Sequence, residues 1–155
     1  MTDETIIHIK RSANGISEDG HSPGYAEVQF TRNELIFLKL AVSQHRTDCS
    51  EKEYSDMIRL IKAASVGFDA ERHYAERYCG VKYRDERAVI RFSRNQFNAM
   101  CIAVLTSADE LRYLQAAFPE SFANLQDKLI RVMDGFRSGE YSFILDGDLR
   151  VVYFD

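Results

Sequence analysis

A short stretch that recurs constrains this chain more than any other feature of it. Phe30-Thr31-Arg32-Asn33-Glu34-Leu35 returns sixty-two positions later as Phe92-Ser93-Arg94-Asn95-Gln96-Phe97, and the register continues through Leu38 and Met100, Ala41 and Ala103, Val42 and Val104. Thr31 with Glu34, and Ser93 with Gln96, have the spacing of a capping box. In that motif the hydroxyl accepts a free amide of the first helical turn, and the longer side chain reaches back to the amide of the cap. Phe30 before Leu35, and Phe92 before Phe97, supply the two apolar ends of a hydrophobic staple. Each copy therefore predicts the end of a strand turning into a helix. Chance resemblance between two strand–helix junctions is the competing reading.

The helices behind the boxes are apolar nearly all round. Residues 35–42 carry one charge, Lys39, and residues 97–105 one polar side chain, Asn98. A helix with so little polar surface is buried, so both are expected at the centre, related by an approximate internal twofold. Arg32 and Arg94 both fall at the first helical position, where the positive end of the helix dipole favours an acidic residue instead. Either each arginine reaches a neighbouring group, or the two together face a partner.

The 155 residues fit one domain of 1–155, with the pseudo-repeat at approximately 25–68 and 87–136. At 45% hydrophobic and 28% charged residues the composition is that of a globular protein. No apolar run has the length of a membrane span, and the acidic start Met1-Thr2-Asp3-Glu4 does not resemble a secretory signal. Cys49, Cys79 and Cys101 form no framework, and their odd number suits free thiols in a cytoplasmic protein. The net charge is −4, and the densest basic run, 82–87, contains Asp85 and Glu86. Nucleic-acid binding, which needs a one-signed surface, is not expected.

Taken in order, 5–10 reads as a strand and 12–24 as a loop, with turn signals at Asn14-Gly15 and Pro23-Gly24. A strand over 25–30 feeds the first central helix. Ser50 with Glu53 opens an amphipathic helix to about Gly67, carrying Tyr54, Met57, Ile58 and Ile61, and a short helix over 69–79 stops at Gly80. Strands over 81–84 and 88–92 lead into the second central helix. Ser107 with Glu110 has the spacing of a further box. Pro119 suits a first helical position, and Phe118, Phe122, Leu125, Leu129, Val132 and Phe136 form a stripe that suits a core face or a dimer seam. Alternating segments on either side of Asp146-Gly147-Asp148 predict a C-terminal hairpin. The fold expected is α+β: an antiparallel or mixed sheet with two pseudo-repeated buried helices, amphipathic helices on one face and a C-terminal β-hairpin.

Candidate chemistry is sparse. His45 and Cys49, and His73 and Cys79, lack the tight paired spacing of zinc ligands, so no metal and no cofactor is expected. Cys49 near His45 is the best nucleophile pair on offer, but it has no flanking signature. Asp146 and Asp148 read as turn residues, and no phosphate loop or hydrolase motif is present. No catalytic residue is assigned. The clearest functional signal is an arginine–tyrosine cluster: Arg72, Tyr74, Arg77, Tyr78, Tyr83, Arg84 and Arg87. Interfaces favour these two residue types, although a polar layer covering the sheet would look the same. The 12–24 loop is a second candidate surface.

This profile fits a small non-catalytic cytoplasmic protein that binds and inhibits or regulates another protein, as an immunity protein neutralises a toxin domain. The alternative is an anion-binding or catalytic pocket between the two pseudo-symmetric halves, clamped by Arg32 and Arg94. Neither a membrane nor nucleic acid is an expected partner. The chain is expected to be a monomer or a homodimer.

Overall fold

A computed structural model describes residues 5–9, 24–45, 49–138, 141–145 and 150–154. Strand β1 (Thr5–Ile9) is followed by β2 (Tyr25–Phe30), α1 (Arg32–Gln44), α2 (Glu51–Gly67) and α3 (Arg72–Cys79). Then come β3 (Lys82–Arg84), β4 (Arg87–Ser93), α4 (Arg94–Thr106), α5 (Arg112–Ala117), α6 (Pro119–Ser138), β5 (Tyr141–Leu145) and β6 (Val151–Phe154). The main sheet has four antiparallel strands in the order β3-β4-β2-β6, and β1 pairs with β5 in a second, two-stranded sheet. The fold is α+β, as the sequence predicts. Both arms of the expected C-terminal hairpin are strands, β5 lying against β1 and β6 against β2. The expected turn with Asp146 and Asp148 lies outside the described residues, as does all of the expected 12–24 loop but Gly24.

Both repeated boxes form. Thr31 accepts the amide of Glu34 at 3.2 Å while Glu34 accepts the amide of Thr31 at 2.8 Å; Ser93 and Gln96 do the same at 3.1 and 2.8 Å. Behind them, α1 buries Glu34, Leu35, Phe37, Leu38, Ala41 and Val42, and α4 buries Gln96, Phe97, Ala99, Met100, Ala103 and Val104. Every buried position of one helix is the buried position of the other, sixty-two residues on. The strands obey the same rule. In the β2–β4 ladder Val28 lies opposite Ile90, its own equivalent, while Phe30 faces Ala88 and Phe92 faces Ala26. A large ring thus fills the space over a small residue twice, and the two rings meet edge to face across the seam at 6.4 Å. The pseudo-twofold passes between Val28 and Ile90.

The duplication extends further than the repeated stretch. Helices α2 and α6 begin sixty-eight residues apart, at Glu51 and Pro119. Met57, Ile61 and Ala64 are buried in one, and Leu125, Leu129 and Val132 at the same offset in the other. The edge strands close the unit with equivalent tyrosines. Tyr83 lies opposite Ala88 and donates to the carbonyl of Ala64 at 2.7 Å; Tyr153 lies opposite Ala26 and donates to that of Val132 at 3.0 Å. Each hydroxyl rests where a helical glycine leaves room, since a Cβ on Gly67 or Gly135 would stand 1.9 Å from it. Burial raises the pKa of both phenols above the ordinary range, Tyr153 more than Tyr83, and so holds them as donors. Two βααβ units share one core, with the helices on one face of the sheet.

Two further expectations are corrected. Ser107 with Glu110 forms no box: Ser107 caps the end of α4, its hydroxyl on the Ala103 carbonyl at 2.6 Å, and Glu110 reaches His45. Ser50 accepts the amide of Glu53, but the Glu53 carboxylate turns to the hydroxyls of Ser50 and Ser93.

Candidate functional site

The N1 arginines find partners inside their own halves. Arg32 lies over the ring of Phe68 at 5.9 Å and forms an ion pair with Asp69. Arg94 lies over the ring of Phe136 at 6.0 Å. Phe68 and Phe136 are again sixty-eight residues apart, and each stacks edge to face on the latch tyrosine of its half, both at 5.2 Å. The two arginines therefore complete one structural motif, a cation on an aromatic ring at the end of the second helix. Neither lines the clefts described below.

The arginine–tyrosine cluster separates into parts. Tyr83 points inward as a latch, with Arg72 over its ring at 4.6 Å. Arg84 and Arg87 belong to β3, β4 and the tight turn between them, in which Asp85 and Glu86 take positive φ. Tyr74 and Tyr78 remain at the surface of α3, 50% and 65% exposed, with ring centroids 5.4 Å apart and Arg77 over the outer ring. This helix exists as a unit because Gly80 takes the left-handed conformation (φ 71°), which lets Val81 return its amide to the Ala75 carbonyl.

Beside Tyr74 runs a cleft of about 520 Å³ between α3 and the outer side of α2. Ile58, Ala63 and Val66 line it along α2, Tyr54 closes one end, and Arg59, Lys62 and Glu71 supply charge. Tyr54 is fixed by a bond from its hydroxyl to the Val42 carbonyl at 2.7 Å. The sequence reading missed the part that α2 plays here: it placed Tyr54 and Ile58 on the core stripe, whereas both also face this cleft. The signal was the stripe's width, since Ile58 and Val66 extend the apolar positions beyond the narrow band that Met57, Ile61 and Ala64 need. At the equivalent positions of α6 stand Gln126 and Asp134, and among the described residues no helix follows α6 to wall a cleft.

The remaining candidates are held by neighbours. His45 Nε2 is 2.8 Å from Glu110 Oε2. Cys49 packs partly buried against the core, and Cys79 receives a long contact from Arg59 at 3.7 Å. Burial pushes the Cys101 thiol up to about 11, so it is protonated at neutral pH. Among the described residues no group of His, Cys, Asp and Glu is arranged to hold a metal ion, and no helix is long and apolar enough to cross a membrane. No protein-family model, curated protein or solved structure matches the chain.

Proposed function

We propose that this chain is a non-catalytic binding protein that docks another protein on the face formed by α3 and the outer side of α2, and so inhibits or regulates it. The observation that carries the reading is an asymmetry. The two βααβ units agree in core, caps, latches and cation–ring contacts, but α3 and its apolar cleft follow only the first of them. Helix α3 gives the core only Ala75, and its outer residues are left to serve a partner. Exposed, mutually stacked tyrosines beside an apolar groove with a charged rim have the makeup of an interface hot spot. An amphipathic helix is the element that fits such a groove.

In its finer form the partner is a toxin domain and the chain neutralises it in the cytoplasm, as immunity proteins do; size and composition support that form. Calorimetry of the purified chain with the product of a neighbouring gene tests it. A 1:1 complex is expected, with Tyr74→Ala and Val66→Glu each weakening it by about tenfold or more. Absence of a complex, or one indifferent to both substitutions, overturns the proposal.

A further inference from the structure

The duplication shows what the scaffold itself asks for at a surface position, because a helix position in one unit has a counterpart in the other. On the outer side of α4 and α6 the counterparts disagree. Leu105 and Ile130 are 58% and 47% exposed, yet sixty-two and sixty-eight residues earlier stand Ser43 and Lys62, which are exposed too. Cys101 likewise takes the place of Lys39. A shallow cleft between the two helices brings Cys101, Leu105 and Ile130 together over Val104 and Leu129. Ile102, also exposed, stands one turn before Leu105 and extends the patch along α4.

Single exposed apolar side chains are ordinary on any protein surface. These are contiguous, and the first unit takes the same fold with a hydroxyl and two ammonium groups in place of three of them. The apolar set is therefore not a requirement of the fold. Nor does it belong to the stripe of α6 that the sequence offered as a dimer seam, since Leu125, Leu129, Val132 and Phe136 are buried in the core.

Charge around the patch bears on what covers it. Within two turns of Ile130, the charges that α6 shows to solvent are Asp127 with Arg131 at 3.5 Å and Asp134 with Arg137 at 3.7 Å. Asp134 and Arg137 stand close enough to act on the Cys101 thiol. Two acids and two bases leave this stretch neutral in a chain whose net charge is −4. Such a rim is complementary to its own copy: about a twofold axis, acids of one helix meet bases of the other in both directions at once. A strongly acidic or basic partner finds no matching field here.

We infer that this face is the seam of a homodimer, in which the α4–α6 surfaces of two copies pack together about a twofold axis. Ile102, Leu105 and Ile130 form its apolar centre, and the charge pairs of α6 form its polar rim. The seam lies in the second unit and leaves α2 and α3 of each copy to the partner proposed above, so neither reading depends on the other. Because the patch is small, the dimer is expected to be a weak one.

Sedimentation equilibrium of the chain from about 1 to 300 µM tests the inference, with half-association expected below about 100 µM. Leu105→Ser with Ile130→Lys gives the second unit the residues of the first, and should weaken association by about tenfold or more. Its urea midpoint, measured where both proteins are monomeric, should stay that of the parent. Leu105→Ser alone should act in the same direction, by less. Val66→Glu, on the α2–α3 face, should leave association unchanged. A chain that stays monomeric over the whole range, or a dimer that survives Leu105→Ser with Ile130→Lys, overturns the inference. A dimer broken by Val66→Glu instead also overturns it, since α2 and α3 would then form the seam.

Discussion

The two halves of the molecule meet one problem with different chemistry. Glu34 and Gln96 occupy the same position, each closing a capping box with one oxygen and each buried. Each also keeps hydrogen-bonding capacity that must be satisfied away from water. In the first half Glu34 accepts from Lys128 at 2.7 Å, and that ammonium, reaching over from α6, also donates to the Gln29 carbonyl at 2.6 Å. Both side chains are nearly inaccessible, at 3% and 2% exposure. In the second half the amide of Gln96 donates to the Glu53 carbonyl at 2.8 Å, a neutral contact in place of the ion pair. The geometry demands a satisfied box; it does not demand an ion pair. Where the halves agree, the fold needs the feature. Where they differ, one half has been free to change, and the face on α3 proposed for a partner is such a difference.

The largest break in the comparison comes from removing one charge. Lys128→Met should leave the Glu34 carboxylate buried without its partner and cost about 3–5 kcal/mol in urea unfolding. Adding Glu34→Gln to it gives the first half the neutral chemistry of the second, and should recover more than half of the loss. If the double variant is no more stable than Lys128→Met alone, the two halves are not interchangeable solutions. Gln96→Glu is the reverse experiment, placing a charge where only a carbonyl waits; it should destabilise by roughly 1–3 kcal/mol.

The glycine latches sharpen the comparison. A Cβ at Gly67 or Gly135 would collide with a tyrosine hydroxyl in the same way, but ring carbons crowd Gly135 more closely, at 2.5 and 3.1 Å, than Gly67, which has one at 2.8 Å and the Ala75 Cβ at 3.3 Å. Tyr153 is the more deeply buried phenol of the two and has less room to swing aside. Both alanine variants should therefore lose stability, by about 1–3 kcal/mol, with Gly135→Ala the worse. Thermal denaturation of the pair checks the ranking, and equal losses would mean that the latches are mechanically alike after all.

Much of this was legible in the sequence because it is local. Caps, staples and apolar periodicity act over a few residues, so the two buried helices, their burial register and the stripe from Phe122 to Phe136 could be read directly, although Phe118, which the stripe was expected to include, is 39% exposed. What could not be read depends on contacts between distant segments. Tyr83 was grouped with an interface cluster because its neighbours are arginines, and only the pairing of β3 with β4 turns its ring inward onto Ala64. Ser107 and Glu110 have the spacing of a box, but α4 ends there and takes the hydroxyl, while His45 claims the carboxylate. For the proposed partner site, the exposed Tyr74 and Tyr78 could be picked out by composition. The cleft beside them could not, because its floor belongs to the outer side of a helix whose inner side dominates the pattern.

The smallest expected effect concerns the arginines that first looked out of place. Both sit at the end of a helix dipole that disfavours them, and both have an aromatic ring, Phe68 or Phe136, to lie on. A cation over a ring near the surface is worth about 0.5–1 kcal/mol, of the same order as the dipole penalty, so Arg32→Ala and Arg94→Ala should each change stability by less than about 1 kcal/mol. Replacing the rings separates the two contributions. With Phe68→Leu or Phe136→Leu in place, removal of the arginine should cost less than it does beside the intact ring, by the worth of the ring contact, while Arg32 keeps its ion pair with Asp69. Double-mutant cycles by urea unfolding, one in each half, measure this directly. Matching coupling energies would show that the motif serves the fold in both units. Coupling in one half alone would release the other arginine for a separate role.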